Sequence, residues 1–120
     1  MTEKIEILEP NQLIEVLNSR LPQWEKRNHF LERVIDTSGW RSTMMIANAI
    51  AHISEVAWHH PELSLSYGGV VINLHTHDVG GITYLDIELA EKIDSFLSWS
   101  PATDKDSYLP GTPKSHNYFG

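Results

Sequence analysis

The chain of 120 residues contains no cysteine. Disulfides, thiolate nucleophiles and Cys-based zinc or iron-sulfur centres are therefore excluded, and any chemistry must come from other side chains. Positive charge is scarce: nine Lys and Arg stand against 16 Asp and Glu, a formal net charge of -7. Such a balance gives no electrostatic pull toward DNA, RNA or an anionic lipid surface. The uncharged stretch from Ser42 to Ser54 is too short to span a bilayer, and Met1 to Glu9 carries charges where a signal peptide needs an apolar run. A cytoplasmic protein that binds neither nucleic acid nor membrane is the expectation. What remains is globular composition, 41% hydrophobic and 21% charged, in a length that suits one domain. Against this background one concentration stands out. Five of the seven histidines (His52, His59, His60, His75 and His77) fall within 26 consecutive residues.

Pro10 suits a first helical position, and Leu13, Val16, Leu17 and Leu21 follow it at helical spacing until Pro22. Between Trp24 and Ile35 apolar residues alternate irregularly with charges, which suits one or two strands before Thr37-Ser38-Gly39 breaks the pattern. Ser42 is placed to cap a second helix whose apolar stripe is Ile46, Ala49, Ile50, Ile53, Val56 and Ala57. Asn48, His52, Glu55 and His59 line its polar edge, and Pro61 ends it. Leu63, Leu65 and Tyr67 then alternate, as do Val70, Ile72 and Leu74. With Gly68-Gly69 as the turn, this hairpin pairs Tyr67 with Val70 and, extended, brings His60 opposite His77. Tyr67 reads as a core aromatic beside that turn. Thr83 followed by Asp86 is a capping box opening a third helix, with Leu85, Leu89, Ile93 and Phe96 inward. From Ser100 the chain turns Pro-, Ser- and Thr-rich without periodicity. The organisation expected is a domain over 1–99 and a loosely ordered tail over 100–120.

Histidine titrates near neutrality, so several imidazoles beside a carboxylate can exchange protons with a substrate at physiological pH. Glu55 lies one helical turn before His59, placed to orient its ring; the plain alternative is an exposed ion pair among solvated histidines. His75 and His77, two apart on a strand, share a face at about 6.6 Å. With His59 or His60 they would offer zinc a set of ligands, although no metal-ligand signature such as H-E-x-x-H is present. Asp86 has a structural role as a helix-capping carboxylate whether or not it also serves chemistry. Trp58 is either core or a platform on which a flat heterocycle stacks.

The string Glu55, three residues, His59-His60-Pro61, five residues, Tyr67, nine residues, His77, eight residues, Asp86 resembles the spaced motif of the pterin-4a-carbinolamine dehydratases, also called 4a-hydroxytetrahydrobiopterin dehydratases. Thr76-His77-Asp78, Gly80-Gly81-Ile82-Thr83 and Leu89-Ala90 add to the likeness, which is specific from Ala47 to Leu97. The resemblance implies an α+β fold, a four-stranded antiparallel sheet with three helices packed on one face. It implies dehydration of a 4a-hydroxytetrahydropterin to the quinonoid dihydropterin, in tetrahydrobiopterin recycling, with no metal and no organic cofactor. Catalytic roles fall on His59 and His77 as acid and base, on His60 and on Glu55; Trp58, Pro61, His75, Thr76 and Asp86 fall to substrate binding. An aromatic amino acid hydroxylase as pathway partner and a homodimer or homotetramer are implied too. Trp58 and His75 depart from the residues usual in the family, and the Pro-rich tail extends past its usual end. The competing reading is a non-catalytic adaptor or assembly factor of the same fold, which would have no need of the histidines.

Overall fold

The computed structural model describes residues 5–116, so the first four and last four residues of the sequence, the end of the tail included, lie outside the described residues. The elements run α1 (Pro10–Arg20), β1 (Glu25–Arg27), β2 (Phe30–Asp36), α2 (Trp40–Ala57), β3 (Glu62–Ser66), β4 (Gly69–Leu74) and α3 (Tyr84–Ser98). The strands form one antiparallel sheet in the order β1-β2-β4-β3. This is the α+β architecture expected. Side chains alternate across the sheet, so Leu31 and Ile35 of β2 and Val70, Ile72 and Leu74 of β4 share one face. There they are buried with Leu13 and Val16 of α1, Ile46 and Ile50 of α2, and Ile87, Leu89, Ala90 and Ile93 of α3. Val34 points the other way and is exposed.

The β3–β4 hairpin is shifted by two residues from the expected register. Leu65 pairs with Val70 and Leu63 with Ile72, leaving Tyr67-Gly68 as the turn. The reason lies in β2. Gly69 sits opposite Asp36, and a Cβ on Gly69 would come within 3.0 Å of the Ile35 carbonyl oxygen, so this glycine is used for close strand approach and is not free to turn. A shift of two preserves which side chains face the core. It does remove the expected pairing of His60 with His77: the strands stop at Glu62 and Leu74, and the same register continued would set His60 opposite His75. Tyr67, in the turn, is exposed instead of buried.

Three further expectations are corrected. Helix α2 starts at Trp40 with Gly39 as its N-cap, while the Ser42 hydroxyl, one turn in, is spent on Ser38 at 2.9 Å. The apolar stripe of α2 is buried only over its first three turns, since Val56 and Ala57 have passed the edge of the sheet and are exposed. In α3, Leu85 and Phe96 likewise face outward. The Thr83–Asp86 capping box and Pro10 in the first turn of α1 are both as expected. Beyond α3 the described tail holds single 3-10 turns at Pro101–Thr103 and Lys114–His116. It lies beside α2, with Leu109, Pro110 and Pro113 across a groove from Met45 and Ala49.

Two polar ties bind the second half of α3 to α1, β2 and the segment between them. Arg33, on the inward face of β2, would be an uncompensated charge but for Asp94 of α3, which also accepts the Trp24 indole N–H at 2.9 Å. Arg20 at the end of α1 makes a two-pronged contact with Glu91, both distances 2.8 Å. The hydrogen bond from Arg20 holds the Glu91 carboxyl below the usual carboxylate range. A lowered carboxyl pKa means that this contact contributes at neutral pH and is lost as pH falls through the folded value.

Removing the Asp94 acceptor strands a half-buried guanidinium and an indole N–H together. Asp94→Ala is expected to lower folding stability by about 2–3 kcal/mol in urea titration. Arg20→Ala, whose contact is solvent-exposed, should shift the midpoint far less.

Candidate active site

The histidine cluster forms where the end of α2, the loop after β4 and the start of α3 meet. Helix α2 closes with two backbone bonds: Trp58 N–H reaches the Glu55 carbonyl and His59 N–H reaches that of Ser54, both at 3.2 Å. This 5→2 and 6→1 pair needs a left-handed residue between helix and exit, a place usually taken by glycine. Here it is Trp58, at φ 57° and ψ 43°. A bulky side chain in this conformation costs roughly 1–2 kcal/mol. The exit reverses the chain so that His59 points back toward α3, while the Trp58 ring is left 74% exposed.

Opposite, the loop after β4 is closed by a bridge between Thr76 and Gly81, with Thr76 N–H donating to the Gly81 carbonyl at 2.8 Å. Gly80, at φ 72°, supplies the left-handed turn within it. Thr76 is consequently turned inward while His75 and His77 on either side face out.

Asp86 joins these pieces. Its side chain is fully buried and is met by three donors. Thr76 Oγ1 and the Thr83 backbone N–H both reach Oδ2 at 2.9 Å, and His59 Nε2 lies 2.7 Å from Oδ1. One arrangement of hydrogens satisfies the whole group. Leu85 N–H donates to Thr83 Oγ1 (3.1 Å), the Thr83 hydroxyl to Thr76 Oγ1 (2.8 Å), and the Thr76 hydroxyl to the carboxylate. Oδ2 thus takes two donors and Oδ1 faces His59 alone, so an ionised Asp86 is bonded there only by a His59 that carries its proton on Nε2. The free lone pair of a neutral His59 is then on Nδ1. This is the arrangement in which a buried carboxylate fixes an imidazole's tautomer and leaves its other nitrogen for proton transfer.

The remaining residues fall into two groups. His60 Nε2 lies 2.9 Å from Glu55 Oε1, and the Trp58 ring meets His60 edge-on with centroids 5.1 Å apart. So Glu55 pairs with His60, and not with His59 as its spacing on the helix had pointed to. His77 packs against His75, centroids 4.3 Å apart, and His75 in turn against Phe30 at 4.5 Å. Pro61 stands between His60 and the start of β3. Thr83 and Phe30 join the site from outside the spaced motif. Thr83 was signalled by its capping box; Phe30 reaches His75 only through the pairing of β2 with β4, which carries no local signal. Among the described residues, no three His, Asp or Glu side chains are grouped as a metal site.

A groove of about 810 Å³ opens between α2 and α3 beside His59, lined by Ile53, Val56, Leu85, Leu89, Phe96 and Trp99 among others. His59 is the one catalytic candidate on its wall; His60, His77 and Glu55 do not line it.

The family model described as pterin 4 alpha carbinolamine dehydratase matches residues 6–96. The chain belongs to this family. Its motif residues Glu55, His59, His60, Tyr67, His77 and Asp86 all lie inside the matched span, and the tail lies outside it. Relatives bearing the name "putative pterin-4-alpha-carbinolamine dehydratase" include one from Aquifex aeolicus, 40% identical over 64% of this chain and 78% of its own length. One from Acidobacterium capsulatum is 38% identical over 75% of this chain and 97% of its own. A crystal structure from Brucella melitensis, described as a transcriptional coactivator/pterin dehydratase, superposes with a TM-score of 0.69 at 26% identity. It covers 75% of this chain and 97% of that one. The family fold is thus the observed sheet with its three helices.

Two substitutions separate site from scaffold. Thr76→Val removes a buried donor to Asp86 and leaves the Thr83 hydroxyl without its acceptor, and is expected to cost about 1–3 kcal/mol in thermal or urea unfolding. Trp58→Gly relieves the left-handed strain and should leave stability unchanged or raise it by up to about 1 kcal/mol.

Proposed function

We propose that the protein dehydrates a 4a-hydroxytetrahydropterin to the quinonoid dihydropterin, with His59 and His77 as the acid-base pair. The reaction breaks the C4a–O bond, delivers one proton to the departing hydroxyl to release water, and takes one proton from a ring nitrogen as the new C=N bond forms. The overall change is loss of water alone, with no oxidation or reduction. An acid and a base beside one flat ring suffice, so the chain's own side chains can do this without a metal or organic cofactor. The observation that carries the reading is the His59–Asp86 contact: a buried carboxylate, itself anchored by Thr76 and Thr83, presents an imidazole with one nitrogen fixed and the other open.

The roles are proposed as follows. His59 exchanges its proton through Nδ1, and His77 supplies the complementary step. His60, backed by Glu55, binds the pterin, with Thr76, Pro61 and His75 at the margin of the site. Trp58 is offered as a stacking surface, since a strained and exposed tryptophan beside His60 contributes little to folding and much area to a heterocycle. A cytoplasmic, homo-oligomeric enzyme working downstream of an aromatic amino acid hydroxylase belongs to the same reading.

A second reading, a protein-binding adaptor, is favoured by two observations, the open apolar groove between α2 and α3 and the likeness to the Brucella melitensis structure described as a transcriptional coactivator/pterin dehydratase. The two readings separate on the histidines. Dehydration is followed by absorbance of the quinonoid product, in a hydroxylase-coupled assay, for wild type, His59→Ala and His77→Ala. Each substitution is expected to lower turnover about 10²–10⁴-fold, the range of general acid-base catalysis, with no response to chelator in the wild type. No acceleration by wild-type protein across several pterins would overturn the enzyme reading.

A further inference from the structure

From the rings at the end of the sheet we infer that His75 is a positioning residue for His77, held in place by Phe30. The inference rests on the proposed role of His77 in proton transfer. Leu31 pairs with Leu74 across β2 and β4, so the next positions outward, Phe30 and His75, stand opposite one another on the face of the sheet away from the helices. Their rings meet edge to face, centroids 4.5 Å apart and planes at 80°. His75 then passes the contact on to His77, at 4.3 Å and 61°. Thr76 between the two histidines is anchored on the opposite side by Asp86 and Thr83, which fixes the backbone from which both rings project.

His77 is exposed, and among the described residues no hydrogen bond or ion pair holds its imidazole. Its ring packs against that of His75, which packs on its other side against Phe30. An exposed side chain without such a neighbour samples several rotamers, and proton transfer requires the ring to be within reach of the reacting atom in a narrow range of orientations. The ladder Phe30–His75–His77 narrows that range. His75 therefore acts through its ring on His77, and not through a polar contact with the pterin.

The test compares His75→Ser, which removes the ring, His75→Phe, which keeps a ring without nitrogens, and Phe30→Leu, which removes the outer support. Steady-state kinetics with a 4a-hydroxytetrahydropterin is measured beside the imidazole signals of His77 in ¹H–¹⁵N spectra of the unliganded protein. His75→Ser is expected to lower kcat about three- to tenfold, the effect of one aromatic contact, with KM within about twofold. The His77 signals should move toward those of a freely rotating histidine. His75→Phe should restore most of kcat, and Phe30→Leu should fall between. A rise in KM with kcat unchanged, no rescue by His75→Phe, or His77 signals indifferent to His75→Ser would overturn the inference. Should the wild type lack dehydratase activity altogether, the proposed function fails, and the His77 signals alone decide whether the ring ladder orients that side chain.

Discussion

The site depends on one buried carboxylate. Asp86 is fully buried, and a carboxylate in that position is tolerated only when its oxygens are filled by donors. Those donors come from three separated parts of the chain: His59 just past α2, Thr76 in the loop after β4, and the Thr83 backbone at the start of α3. Satisfying Asp86 therefore assembles the site as a by-product of folding. The positive end of the α3 dipole faces the same carboxylate, so the helix start and the charge stabilise each other. In the proposed function the same interaction serves fold and site, so the capping role of Asp86 and the chemical role proposed for it are not alternatives.

Around that centre the molecule divides strained from relaxed parts. The inward face of β2 and β4 and the inner faces of the helices are aliphatic core. At the exit from α2, by contrast, a tryptophan occupies a left-handed position that glycine would fill at lower cost. His60 and Glu55 pair in solvent, where such contacts add little to stability. These features make sense as parts of a binding surface laid over a rigid anchor, with Asp86 supplying the rigidity.

Much of this was legible in the sequence, for identifiable reasons. Alternation at Val70, Ile72 and Leu74 and the spacing of Leu13, Ile46, Ile50, Leu89 and Ile93 mark core faces, because burial selects side chains at the period of the backbone. The Thr83–Asp86 box announces a helix start with a capping carboxylate, while the burial of that carboxylate depends on His59 and Thr76 brought in from elsewhere in the chain. What local pattern does not contain is which competing use of a residue prevails. Gly69 reads as a turn residue, yet the close approach of Ile35 from a strand more than 30 positions away claims it. Val56 and Phe96 fit their helical stripes, but the sheet ends before it can cover them. Glu55 has the right spacing to meet His59, and the chain reversal at Trp58 delivers His60 to it instead. The neighbourhood of His77 and Phe30 depends wholly on strand order, which only the folded chain displays.

The central claim is that Asp86 fixes the protonation pattern of His59, leaving Nδ1 as the open nitrogen. Long-range ¹H–¹⁵N NMR of the histidine rings measures this directly, in the wild type and in Asp86→Asn. The account predicts a single Nε2–H tautomer for neutral His59, with a slowly exchanging, downfield Nε2 proton that is lost in the variant. A His59 protonated on Nδ1, or one whose signals are the same with and without the carboxylate, would contradict it.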